Sequence, residues 1–287
     1  YKRQDQQHVL PSIEKPKIDP LEIDPDKQSA FMKEVEEIPF NPFEPDFIES
    51  GKDFVSKEIA DGITLVHVSN PLNDLFGIEV RMGIGSDHEP MLPYLKRMLS
   101  RSGAGEISSE DLKIEWYKLA TDFGFAVRQH YSSFSLNGLD ENFEESLDLV
   151  EKHLLSPTLL SDTWEKTKEI LLSERDDEQK DPRALSNALA HFHRYGQNSR
   201  FRKRPSDADL NASTPQNLGT LITDLLAVNR TILYFGPRSV EEIEKTILEG
   251  MIGQKPTKET PPFSPDRSFQ ASKNQVYFLQ KEMAQAQ

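Results

Sequence analysis

Side chains able to do chemistry gather in a few places along these 287 residues. Asp87-His88-Glu89 directly precede the stretch "PMLPYLKRMLSRSGAG" at 90–105, whose Lys96 and Arg97 follow Pro93. His191 and His193 stand two apart in "AHFHRYG", and Glu174, Asp176, Asp177 and Glu178 crowd "LLSERDDE". A metal ion would need imidazoles and carboxylates converging from one face. The two histidines fail that test, because helical residues two apart point to different sides. They read as structural or surface side chains. Asp87-His88-Glu89 has two readings, a groove lining or a polar helix entry. "GIGSD" at 83–87 lacks the lysine and spacing of a phosphate loop. No Ser-His-Asp or Cys-His arrangement has supporting context. The chain has no cysteine, hence no disulfide and no thiolate metal site.

The elements that must position these residues follow from periodicity. "DFVSKEIADGITLVHVSN" predicts a hairpin, two alternating strands joined by Asp61-Gly62. "LFGIEVRMGIG" at 75–85 predicts a third strand. Leu112, Trp116, Leu119 and Phe123 predict a helix over 108–123, with Ser108 as N-cap and Asp111 completing the capping pattern. "FAVRQHYSSFSLNGL" at 125–139 predicts two more strands. Phe143, Leu147, Val150 and Leu154 form a helical stripe that Pro157 ends. Helices are then expected over 161–179, 182–195 and 214–227, a strand over 230–237, and a closing helix striped by Val240, Ile243 and Ile247. Trp116 and Trp164 lie on apolar stripes and read as core. Without regular strand–helix–strand alternation, the order predicts an α+β fold: a mainly antiparallel sheet with helices on one face.

Prolines mark the boundaries. Seven of the 19 fall within residues 1–50, so this stretch reads as an extended inter-domain linker with one short helix near 27–37. A second cluster, "KPTKETPPFSP", opens residues 255–287, a connection to a further strand or to the next domain. Residues 51–254 are the single mixed domain between them. The chain starts at Tyr1 and stops at "KEMAQAQ", and so reads as a fragment of something longer. Its net charge of −14 argues against nucleic acid, which needs a basic face. The compact basic run "RFRKR" at 200–204 reads as a solvated loop. No apolar run approaches the length of a membrane span. The missing cysteines fit bacterial periplasm or cytoplasm and decide neither.

Over residues 50–250 the order of several phrases resembles the insulinase-like (pitrilysin-type, inverzincin) metallopeptidases. These are "DGITLVHVSNP", "GIGSD", "YLKRMLSRSGAG", "NFEESLDLVEKHLLSPTL", "WEKTKEILLSERDDEQKDP", "YGQNSRF" and "ILYFGP". The resemblance implies one of four homologous α+β domains. The first such domain carries zinc on His-x-x-Glu-His with a distal glutamate; the third has lost the metal. The Pro-rich stretch ahead of the domain resembles the connection between second and third domains of long single-chain members. Laid on the family pattern, Pro93 takes the first histidine, Lys96 the catalytic glutamate and Arg97 the second histidine. Glu174, 77 residues beyond Arg97, takes the distal ligand position.

The resemblance therefore implies no catalytic residue and no cofactor in this segment, zinc being expected only in a different domain of the parent protein. It implies a non-catalytic domain that helps form a peptide-holding chamber. Its expected partners are other domains of the same chain or a catalytic partner subunit, and a peptide substrate. The alternative is a scaffold or assembly subunit with no peptidase activity. At the degenerate site, an ion pair between Arg97 and Glu174 is expected, on the argument that a partly buried carboxylate without zinc needs a cation. Lys96 is expected to reach solvent or the acids at 176–178.

Overall fold

The computed structural model describes residue 24 and residues 27–40, 42–262, 268 and 273–280. Most of the proline-rich phrase at 14–26 and the end at 281–287 lie outside the described residues. The chain divides into two units, Tyr1–Phe47 and Ile48–Gln287. The first boundary falls three residues before the expected one (50 − 47). The expected second boundary near 254 does not appear. Thr257 and Lys258 donate their backbone N–H groups to Ala227 O, at 2.8 and 3.0 Å, which holds this segment on the second unit. Residues 273–280 form no strand.

In the first unit, α1 (Ala30–Glu36) is the expected short helix. Ser29 caps it by accepting from the Met32 N–H, and none of its residues is buried. The second unit opens with β1 (Val55–Ala60) and β2 (Ile63–Ser69), paired antiparallel across Asp61-Gly62. Gly62 has φ +75°, a conformation glycine takes without steric cost. A Cβ there would also lie 2.5 Å from the Asn229 Oδ1, so no larger residue fits.

Then come β3 (Leu75–Met82), α2 (Leu92–Leu99), the two-residue β4 (Gly103–Ala104), α3 (Ser109–Lys118), β5 (Asp122–Val127) and β6 (Ser132–Leu139). Ser108 caps α3 as predicted. That helix stops short of its predicted end. Ala120 takes φ +46°, which breaks the helical turn, and Phe123 belongs to β5. The apparent fourth residue of the stripe was a coincidence of spacing across a helix–strand boundary.

The rest comprises α4 (Phe143–Leu155), β7 (Pro157–Thr158), α5 (Ser161–Glu178), α6 (Pro182–Tyr195), α7 (Asp207–Ala212), α8 (Pro215–Leu226), β8 (Arg230–Gly236) and α9 (Val240–Glu249). Periodicity does not anticipate α7. Six residues hold too few turns for a pattern, and its signature is the capping box of Ser206 and Asp209.

Among the described residues the main sheet has six strands in the order β1-β2-β8-β3-β6-β5. The pairings are antiparallel except β2 with β8, which is parallel. The last strand of the sheet therefore lies between the second and third. One face of the sheet is buried. Ile63, Leu65, Ile78, Val80, Phe134, Leu136, Ile232 and Tyr234 join a core with Leu95, Met98, Phe143, Val150, Trp164, Leu218 and Ile243 from the helices. Side chains of the other face, such as Val66 and Leu233, are half-exposed. This is the α+β architecture expected, with helices on one face. No helix of the described residues is long and apolar enough to cross a membrane.

A seven-residue helix without a buried face is marginal in water. Brief protease treatment should therefore cut first between residues 27 and 47, leaving a resistant product that starts near residue 48. Simultaneous cutting throughout both units would contradict this.

Candidate functional site

The site grows out of one amphipathic helix. In α2 the buried residues are Leu92, Tyr94, Leu95, Met98 and Leu99. Pro93, Lys96 and Arg97, spaced three and four apart, lie off that stripe. Proline fits there because the first-turn N–H groups lack intrahelical partners in any case. In α5 the buried residues are Trp164, Thr167, Lys168 and Leu171. Glu174 is the next residue on the same spacing. The Trp164 Nε1–H anchors this helix by donating to Ser213 O at 3.0 Å.

The two helices bring Arg97 and Glu174 together. Nη1 donates to Oε1 at 3.1 Å and Nη2 to Oε2 at 2.8 Å, a bidentate fork. The reason expected for the pair needs correcting. The side chains are 40% and 49% exposed, so water can hydrate Glu174 and its carboxylate needs no partner to avoid a desolvation cost. Exposed pairs of this kind contribute about 0–1 kcal/mol. Lys96 does not reach Asp176–Glu178. Asp176 and Asp177 face Lys180, Glu178 faces Arg204, and Lys96 lines a different cavity on the other side of α2.

Around the Arg97–Glu174 pair lies a cleft of about 440 Å³. Its walls are α2, α5, the β5–β6 turn and the loop at 200–205. Arg175 spans the floor, donating to the Tyr94 hydroxyl and the Pro205 carbonyl, each at 2.9 Å, and pairing with Asp207. Asp87 also lines the cleft, 2.9 Å from the Lys203 Nζ. Its neighbours serve the helix entry instead. The His88 Nδ1 accepts from the Gly85 N–H at 3.1 Å, and Glu89 accepts from the Met91 N–H at 2.9 Å. Both readings of the Asp87-His88-Glu89 triplet are thus realised, by different residues.

The basic run at 200–204 is more than a solvated loop. Arg200, Lys203 and Arg204 line the cleft, while Phe201 packs edge-on to His191 beneath the guanidinium groups of Arg200 and Arg204. His191 hydrogen-bonds Ser199 Oγ at 3.2 Å, and His193 packs edge-on to Tyr277, both structural as expected. The cleft lining of Arg128, Arg175, Arg200, Lys203 and Arg204 was not read from the sequence. The available signal was a lone basic run in an acidic chain.

Zinc does not fit the degenerate positions. Proline has no side-chain donor, lysine and arginine are cationic, and both Glu174 oxygens already accept from Arg97. Among the described residues no group of three or more His, Asp or Glu converges to hold a metal ion.

A second cavity, of about 890 Å³, opens beside α3. Trp116 lines it, stacked on Phe123 with ring centroids 5.5 Å apart, and is not the core residue expected; Trp164 is fully buried. His153 is buried at its inner end, 2.8 Å from the Ser102 Oγ. Desolvation pushes its imidazole down to about 4, although a hydrogen bond with the Leu99 backbone opposes the shift.

Two measurements probe these environments. A double-mutant cycle on Arg97→Ala and Glu174→Ala should give a coupling of about 0–1 kcal/mol. A coupling near 3 kcal/mol would instead mean a buried pair. For His153, the unfolded chain takes up the proton first, because the folded pKa lies below the ordinary 6.5. Its contribution is complete above about pH 6.5 and is lost as the pH falls towards 4, by about 2 kcal/mol at pH 5. Urea unfolding at pH 7 and pH 5 should show that loss in the parent and not in His153→Gln. An equal loss in both would assign it elsewhere.

No protein-family model matches the sequence, and no curated protein matches it. Solved structures do. The peptidase M16 inactive domain from Pseudomonas fluorescens matches with a TM-score of 0.61 at 18% identity, over 73% of this chain and 52% of that one. The periplasmic protease PqqL from Escherichia coli matches with a TM-score of 0.61 at 13% identity, over 85% and 30%. A mutant of the ferredoxin protease FusC, solved with Arabidopsis ferredoxin, matches with a TM-score of 0.64 at 13% identity, over 88% and 28%. The chain thus spans about half the length of the first and less than a third of the others. At such identities the likeness is one of fold: this chain has the α+β fold of M16 peptidase domains, the insulinase-like fold that the sequence resemblance implied.

Proposed function

We propose that residues 51–254 are a non-catalytic domain of an insulinase-like zinc metallopeptidase. It helps form the wall of a peptide-holding chamber, and hydrolysis belongs to another domain of the same parent chain or to a catalytic partner subunit. The observation that carries this reading is the pairing of an M16 fold with Pro93, Lys96 and Arg97 where the family's ligands and base would stand. A general base acting on a metal-bound water must accept a proton, and the Lys96 ammonium has no lone pair with which to do so. Three of the four family positions have thus lost their chemistry. The fourth, Glu174, holds its carboxylate 2.8 Å from the cation at the second histidine position. Likeness to a domain described as inactive favours this reading over a pure scaffold.

Metal analysis after dialysis, with a peptide-cleavage assay, should find neither bound zinc nor cleavage. Stoichiometric zinc lost on Glu174→Ala would sink the reading. The converse variant, carrying Pro93→His, Lys96→Glu and Arg97→His together, should take up about one zinc per chain through the two new imidazoles and Glu174. Failure of a folded triple variant to bind zinc would reject the descent of these positions from a metal site.

A further inference from the structure

Charge is distributed very unevenly in this chain. The protein carries a net −14, yet six cations line the cleft around Arg97: Arg97, Arg128, Arg175, Arg200, Lys203 and Arg204. Its lining acids are Asp87, Glu174 and Glu178, so the lining sums to +3 (six minus three). We infer that the cleft is a binding site for the carboxylate side chains of an acidic peptide segment.

The cleft already displays the recognition it would use. Arg97 holds a glutamate side chain by a bidentate fork, and Arg204 holds Glu178 at 2.5 Å. These are glutamate carboxylates bound by guanidinium groups, the geometry that an incoming acidic side chain would adopt. Two further guanidinium groups, those of Arg128 and Arg200, are exposed and have no carboxylate within 4.0 Å among the described residues. They offer unused forks at the rim. Between the charges, Pro90, Pro93, Val127 and Leu171 supply apolar surface against which a ligand's methylene groups can pack. The volume suits a short segment and not a folded domain.

A nucleic-acid backbone is disfavoured by the same arithmetic. It needs a basic track longer than one cleft, and the remainder of this chain is acidic. Net positive charge in a concave, partly enclosed site also concentrates anions more effectively than the same charge spread over a convex surface.

That the carboxylates belong to a peptide rests on the chamber-wall reading; that the cleft takes carboxylates does not. The experiment uses the full chain and three probes: a labelled Glu-rich peptide, its Gln-for-Glu counterpart, and inorganic phosphate as competitor. The Glu-rich peptide should bind at least about tenfold tighter than the Gln form at low ionic strength, each lost charge-assisted hydrogen bond being worth about that factor. Its affinity should fall as salt is raised.

Arg128→Ala with Arg200→Ala should weaken binding by about tenfold or more. Both side chains are exposed, so unfolding in urea should be unchanged. Glu174→Gln should act in the opposite direction. It frees Arg97 and raises the lining to +4 (three plus one), tightening the Glu-rich peptide several-fold, a gain that a damaged fold cannot mimic. Equal binding of both peptides, unaffected by the arginine variants, would overturn the carboxylate site and leave the chamber-wall reading standing. Phosphate binding through the same arginines, with neither peptide bound, would overturn the peptide occupant and count against the chamber wall. No gain in Glu174→Gln would also reject the inference, since the internal glutamate would then not be competing for Arg97.

Discussion

Everything at the cleft depends on which way α2 is rolled. Its five buried residues leave only one orientation, because turning the helix by a third would expose Leu95 or Met98 and bury a guanidinium. Burying a Leu or Met side chain stabilises by about 1.5–3 kcal/mol, and several act together. Apolar packing thus aims Arg97 at α5; the ion pair does not. The same logic holds for α5, where fully buried Trp164 and nearly buried Leu171 fix the helix and Glu174 follows by periodicity. The polar residues are passengers on a frame set by the core.

That ordering explains how a metal-site geometry can persist without the metal. The helices meet through hydrophobic contacts that do not involve the site residues, so substituting those residues leaves the meeting point intact. Free of any structural duty, the exposed charges in the cleft contribute little to stability. Their arrangement is better accounted for by what they hold than by what they support. Arg175 is the exception. With four-fifths or more of its side chain covered and bonds to Tyr94, Asp207 and Pro205, it ties α5, α2 and the 205–207 loop together.

Much of this was legible in the sequence. Stripes such as Phe143-Leu147-Val150-Leu154 are buried as periodicity predicts, and the hairpin turn sits at Asp61-Gly62. The partnership of Arg97 with Glu174 was legible only through the family resemblance, because no local pattern links residues 77 apart. Two kinds of feature stayed hidden. Short elements such as α7 carry no period, and helix ends that run straight into strands, as at Ala120, extend a pattern by chance. The cleft stayed hidden for another reason. Its cations come from α2, α5, the β5–β6 turn and the 200–204 loop, and charge gathered from separate segments leaves no signature in any one of them.

The place of β8 between β2 and β3 bears on how the chain comes to be folded. The first hairpin has no strand-to-strand bond to β3 until Arg230–Gly236 is inserted between them. On a ribosome, some 160 residues must emerge after β2 before the gap can close, counting from Ser69 to Arg230 (230 − 69 = 161). Until then two edges of half-built sheet stand open, each able to accept a strand from a neighbouring chain. Such long-range pairing is also slow, since loop closure comes before any contact rewards it. Nascent copies of this domain are therefore most exposed to mispairing late in synthesis, when almost all of their core residues are already outside the tunnel but the central strand is not.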